Sequence, residues 1–193
     1  MVVRLQEKLL DEIDRKLIAM LRKNGRSKLV ELSAEIGFTS MGVKKRLAKL
    51  IEKNVVSVSA LLNHSLFKLQ PASITVQLQQ GCLKNLVGCF ENCPKVVSLF
   101  TRRNNTQTVM MLVVGECRGA LEGLLNSVKS QEGVLEAELQ VFNEIHYSPY
   151  LAVRVDKMLG EEPPCGAECS SCNYYLENNC PGCPPSKAYR GPL

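Results

Sequence analysis

Residues 10–56 read LDEIDRKLIAMLRKNGRSKLVELSAEIGFTSMGVKKRLAKLIEKNVV, and the caps and stripes of this stretch decide the fold of the amino-terminal third. Asp11 is placed to cap a helix in which Ile13, Leu17, Met20 and Leu21 recur at i, i+4, i+7 and i+8, one apolar stripe. Gly25 ends it. Ser27 can cap a second helix, with Leu29, Leu32 and Ile36 on one face, and Gly37 supplies a left-handed residue for the next turn. Thr39 caps a third helix, with Val43, Leu47 and Leu50 pointing inward. Asn54, which tolerates the left-handed conformation nearly as Gly does, closes it. Val56–Leu62 then alternates apolar and polar residues, which suits a short strand leaving the head.

This order of helices is a helix-turn-helix pattern, and its last helix is the one that would enter a major groove. The inward stripe leaves Ser40, Met41, Lys44, Lys45 and Lys49 on outward faces. Ser40, Met41, Lys44 and Lys45 are candidates for base edges, and Arg46 and Lys49 for phosphates. Ser27 and Thr39, at two helix starts, complete the candidate DNA-binding set. A plain three-helix bundle with a solvated basic face is the bland alternative, but the complete cap, stripe and turn order is more specific than a basic tripeptide. Charge agrees. Residues 1–60 carry net +6, residues 61–157 carry +1 and residues 158–193 carry −2. The basic excess sits where phosphate contacts would be needed.

The head resembles the Lrp/AsnC family of transcription regulators. Leu10-Asp11 with Asp14 fits the family's L-D-x-x-D, and Gly37 to Leu50 fits G-[LF]-[ST]-x-x-x-V-x-x-R-[IL]-x-x-L, through Val43, Arg46 and Leu50. Leu32 and the aliphatic pair Val55-Val56 also match, while Asn54 stands where the family usually has Gly. The resemblance implies a winged helix-turn-helix that binds double-stranded DNA. It also implies a homodimer or higher even-numbered homo-oligomer, and a second domain that binds amino acids or similar effectors at subunit interfaces.

The middle of the chain reads as such a domain. Ile74, Val76 and Leu78 alternate as a strand, and Leu83–Phe90 reads as a helix stopped before Pro94. Val96–Phe100 and Thr108–Val114 read as a strand pair about the turn Arg102-Arg103-Asn104-Asn105. Leu121, Leu124, Leu125 and Val128 mark a second helix, Gly133 breaks it, and Val134–Phe142 is the last strand. The order βαββαβ gives an antiparallel, ferredoxin-like sheet with helices on one face. The resemblance places an effector turn at Asn104, Asn105, Thr106 and Gln107, which here has neither the Gly nor the acid of a Gly-x-Tyr-Asp-like sequence. Cys82, Cys89, Cys93 and Cys117 read as small buried apolar residues, and His64 and His146 as structural histidines.

After Val155 the composition shifts again. Gly160–Pro164, GEEPP, reads as a linker. Beyond it Cys165, Cys169, Cys172, Cys180 and Cys183 follow the spacing C-x3-C-x2-C-x7-C-x2-C, five thiols in 19 residues. A segment with no core of its own needs a cross-link. In a reducing compartment that cross-link is a metal before it is a disulfide. The two C-x2-C pairs can supply four thiolates to a tetrahedral ion, with Cys165 as a fifth ligand or a reserve thiol. Zinc is the leading candidate, and copper(I) or an iron–sulfur cluster also suits thiolates. A permanent zinc staple and a metal- or redox-responsive switch are both open.

The expected fold class is therefore α+β: a (winged) helix-turn-helix over residues 1–62, a βαββαβ domain over 63–157, and a linker with a cysteine-rich tail over 158–193. No stretch approaches the ~20 apolar residues of a membrane span, and no signal peptide is visible, so the expected compartment is the cytoplasm of a prokaryote. No convergent acid–base cluster points to an enzyme. The competing readings are a tetrapyrrole-decarboxylase-like enzyme on the same scaffold and a metal-storage or delivery protein.

Overall fold

The computed structural model describes residues 10–155, 163 and 166–192. The chain divides into two compact units, Met1–Ser59 and Ala60–Leu193.

The first unit is helical. α1 spans Glu12–Lys23, α2 Leu29–Ile36 and α3 Ser40–Glu52. Asp11 caps α1 reciprocally: its carboxylate accepts from the Asp14 N–H at 2.7 Å, and the Asp14 carboxylate accepts from the Asp11 N–H at 3.2 Å. Ser27 does not cap α2. Its hydroxyl donates back to the Asn24 carbonyl at 2.9 Å, closing the preceding turn, and Lys28 takes the N-cap position with its N–H on the Glu31 carboxylate. Gly37 is left-handed at φ 75°, and Thr39 caps α3 by accepting from the Gly42 N–H at 3.1 Å.

The end of α3 is a Schellman closure. Asn54 is left-handed at φ 54°, its N–H reaches Ile51 O at 2.9 Å, and the Val55 N–H reaches Leu50 O at 2.9 Å. Leu50 and Val55 meet in the core beneath it. That core is Leu17, Leu32, Val43 and Leu50, with Ile18, Met20, Leu47 and Val56 packed around it. Burying each such aliphatic side chain is worth about 1.5–3 kcal/mol. The strand expected over Val56–Leu62 is absent. Residues 56–61 have no regular structure, and only β1, Leu62–Asn63, is extended and paired, with β6, Tyr150–Leu151. A run that alternates correctly still forms no strand where nothing pairs with its backbone.

The second unit carries β2 (Gln70–Leu78), α4 (Leu83–Phe90), β3 (Val96–Arg102), β4 (Asn105–Gly115), α5 (Arg118–Lys129) and β5 (Val134–Val141). The sheet order is β3-β4-β2-β5, antiparallel throughout, which is the ferredoxin-like βαββαβ arrangement. One face buries Ala72, Ile74, Val76, Leu78, Val109, Met111 and Val113 against Leu86 and Phe90 of α4 and Leu121, Leu124 and Val128 of α5. Of the middle-domain thiols, Cys93 is buried and Cys82, Cys89 and Cys117 are half-buried. His64 is buried with Nδ1 3.0 Å from Leu69 O, and His146 is exposed near Glu144.

The cysteine-rich segment belongs to this second unit. A 3-10 turn, Cys169–Ser171, leads into α6, Asn173–Leu176. The segment lies against the ends of β3 and β4 and the start of α5. A Cβ at Gly119, in α5, would stand 2.0 Å from the Asn179 carbonyl oxygen, so only glycine allows the tail its place. The Cys117 thiol donates to that same oxygen at 3.0 Å. Among the described residues no helix is long and apolar enough to cross a membrane.

Candidate functional site

On the head, α3 carries Ser40, Met41, Lys44, Lys45, Arg46 and Lys49 of the candidate set. Lys44, Lys45 and Lys49 are exposed and Met41 is 60% exposed, so the outward face foreseen for them is present. Two other candidates are engaged within the head. Ser33 spends its one hydroxyl hydrogen on Val30 O, so Ser40, 3.1 Å away, donates to Ser33 and thereby ties α3 to α2. Arg46 does not project as a phosphate ligand. Its guanidinium reaches Asp11 at 2.7 Å and Asp14 at 2.8 Å, and lies 5.4 Å from the centre of the Phe38 ring. It clips α3 to the capping box of α1. The Asp14 N–H and the Arg46 guanidinium together hold the Asp11 carboxyl below its ordinary range. The same two carboxylates raise Arg46.

Thr39 is exposed, with its hydroxyl oxygen occupied by the Gly42 N–H, and Ser27 is half-buried in the turn before α2. The outward cationic set on α3 is therefore Lys44, Lys45 and Lys49, three ammonium groups on one helix suited to phosphate oxygens. Of the candidate effector turn, Asn104 lies between β3 and β4, and Asn105, Thr106 and Gln107 begin β4. All four are exposed, and Asn105 Oδ1 accepts from the Gln107 N–H at 3.0 Å.

In the second unit the tail thiols converge. Cys169, Cys172, Cys180 and Cys183 all line one cavity of about 70 Å³, together with Cys93 and Lys95 of the sheet domain. Among the described residues no three His, Cys, Asp or Glu side chains are arranged to hold a metal ion as they stand. The expected ligand set is thus gathered about one space without being closed on one point. Cys165 lies outside the described residues.

Lys95 is the residue the sequence reading passed over. Its side chain is 9% exposed and donates to Gly182 O at 3.1 Å, inside the second C-x2-C pair. Burial alone would lower this ammonium's pKa. The opposing charges of Glu116, Cys180, Cys183 and Cys93 more than offset that and raise it. Burial pushes the Cys180 thiol up, against the pull of Lys95. Glu116 stands 3.7 Å from Lys95 Nζ. One of its oxygens accepts from Tyr189 at 2.9 Å, and the other is buried without a hydrogen-bond partner. A signal was present in the sequence: Lys95 immediately precedes the apolar strand β3 and Glu116 immediately follows β4, so hairpin pairing brings them to the same end. The Val114 N–H on Lys95 O, 2.8 Å, is the last rung there.

Residues 10–57 match the winged helix-turn-helix DNA-binding family. An uncharacterized HTH-type transcriptional regulator of Pyrococcus abyssi is 31% identical over 135 residues, 69% of this chain and 82% of that protein. A second such regulator, from Pyrococcus furiosus, is 40% identical over 57 residues, 29% of this chain, and the chain spans only 37% of its length. Among solved structures, the leucine response regulatory protein LrpA of Mycobacterium tuberculosis superposes with a TM-score of 0.62 at 26% identity, covering 72% of this chain and 97% of that one. The chain belongs to the HTH-type transcriptional regulators of the Lrp/AsnC fold. That is a family of DNA-binding regulators, and it leaves the decarboxylase alternative without support among these relatives.

Proposed function

We propose that this DNA-binding regulator acts in the prokaryotic cytoplasm as a dimer or higher even-numbered homo-oligomer, and that its tail binds a thiophilic metal whose loading changes DNA affinity. The observation that carries the metal reading is the single cavity onto which all four thiols of the two C-x2-C pairs open. Zinc suits four thiolates in a tetrahedron, and copper(I) or an iron–sulfur cluster would declare itself by its spectrum. Metal binding orders its ligands in a staple as in a switch, so the feature that separates the two is a DNA affinity that changes with loading.

On DNA, two-fold symmetry sets two α3 helices in successive major grooves, about 34 Å apart on a near-palindromic site. Lys44 and Lys45 lie towards the groove and Lys49 towards the backbone. Met41 offers an apolar contact to a thymine methyl. The turn Asn104–Gln107 has no acid to pair a buried free ammonium, which favours the tail over that turn as the sensing element.

Native mass spectrometry of protein purified without oxygen tests both parts. The expected result is an even number of chains with one metal centre each, lost in Cys169→Ser and in Cys180→Ser. A monomer contradicts the assembly. Chains that stay metal-free after addition of zinc, copper(I) or iron with sulfide contradict the tail reading.

A further inference from the structure

We infer that the sheet domain supplies the charge that makes the tail's thiolate centre possible, with Lys95 as its buried counter-cation and Glu116 as its competitor. This rests on the proposal that the tail thiols bind a metal. The charge count sets the need. Four thiolates on a divalent ion carry net −2, and holding that charge at half-buried cysteines beside an apolar core is unfavourable unless a cation sits close.

Lys95 meets that need and is otherwise hard to explain. A buried lysine is expensive without a good partner, and the partner present is a poor one. Glu116 is 3.7 Å away, beyond hydrogen-bond range, and its nearer oxygen has no hydrogen-bond partner. The lysine lines the same cavity as Cys93, Cys180 and Cys183 and donates to the backbone of Gly182, between Pro181 and Cys183. Its anchorage is firm: Lys95 O holds the last rung of the β3–β4 hairpin. Glu116 is held in turn by Tyr189 of the tail. The tail thus brings its sulfurs to a cation fixed in the sheet domain, and a carboxylate that shares that cation opposes metal loading. Lys95 is a positioning residue here and ligates nothing.

The arrangement predicts effects of opposite sign from two neighbouring substitutions. Cobalt(II), whose thiolate complexes absorb strongly in the near ultraviolet, is titrated into the reduced full-length protein in competition with a chelator. Lys95→Met should weaken cobalt binding about 10–100-fold, the range seen when outer-shell partners of a metal site are removed. Lys95→Arg should recover much of the loss. Glu116→Gln, which keeps an acceptor for Tyr189 and removes only the competing charge, should bind cobalt severalfold more tightly. A merely structural role would weaken both variants or neither. If Lys95→Met fails to fold, as judged by circular dichroism, the sign of the Glu116→Gln effect decides. Equal or weaker binding by Glu116→Gln, or unchanged binding by a folded Lys95→Met, overturns the counter-cation role and leaves the metal reading intact. No cobalt–thiolate band in the wild-type protein overturns the metal reading and this inference with it.

Discussion

The helical head and the cysteine tail are both short, and they reach order by different means. The head closes on its own core, Leu17, Leu32, Val43 and Leu50, with capped and Schellman-closed helix ends. Among the described residues of the tail the buried ones are Pro163, Gly182, Pro184 and Pro185, and the longest helix has four residues. Its internal ties are polar: Tyr175 donates to Ala188 O at 2.8 Å, and Arg190 stacks 4.2 Å from the Tyr175 ring. The rest is borrowed from the sheet domain through Lys95, Glu116, Cys117 and Gly119. A segment ordered by hydrophobic burial is set once by its sequence. One held by polar ties, a buried charge and a bare glycine depends on the domain it leans on.

The largest effect that would break this contrast is expected in the head. Leu17→Ala removes the centre of a four-residue core and should cost about 2–5 kcal/mol, enough to abolish DNA binding. Metal content should be unchanged, because the tail belongs to the other unit. Parallel loss of metal, read by elemental analysis, would mean the two regions are not independent in the sense described.

Next come the α3 lysines. Lys49→Ala should weaken binding to every duplex alike and flatten the slope of log affinity against log salt by about one unit. Lys44→Ala and Lys45→Ala should each cost about 1–3 kcal/mol at one base position of a preferred duplex. A loss uniform across sequences would instead make that lysine a phosphate ligand.

Gly119→Ala sharpens the other side of the comparison. Its methyl would stand 2.0 Å from Asn179 O, so the tail has to leave α5. Proteolysis and hydrogen exchange should rise in residues 166–192 while β2, β4 and β5 stay protected. Uniform destabilisation of the sheet would show that the tail is part of that core.

The smallest effect concerns acid. The Asp11 carboxyl is held low by the Asp14 N–H and by Arg46, so its contribution is present above the unfolded value and is lost as pH falls through the folded one. The head's thermal midpoint should therefore decline below about pH 4, the ordinary aspartate range, and Asp11→Asn should make that decline shallower. An unchanged acid limb would remove the clip from the account.

The three helices and the core of the head were legible because local chemistry governs them. Gly37, Thr39 and Asn54 act as their backbone preferences dictate, and the apolar stripes name the core. The order of the second unit was legible too, since strands that alternate and bounded helices need only local reading. What was hidden depends on distance along the chain. Arg46 meets Asp11 across 35 residues, Lys95 meets Gly182 across 87, and β1 pairs with β6 from either side of the four-stranded sheet in the chain. Ser27 failed as a cap for a local reason, a competing bond to Asn24 O. The C-x2-C spacing identified the thiols that share the cavity, but nothing in that spacing announces Cys93 or Lys95 as its other walls.

We propose that a metal bound by the tail governs the DNA-binding head. The most direct test selects a preferred duplex with protein purified without oxygen. Affinity for that duplex is then measured before chelation, after chelation and after restoring the metal, at fixed salt. The account predicts an affinity change of at least about tenfold, roughly 1.4 kcal/mol of coupling, reversed by the metal and absent in Cys169→Ser/Cys180→Ser. Equal affinity in all three states, with the metal demonstrably removed and returned, would contradict it and reduce the tail to a staple.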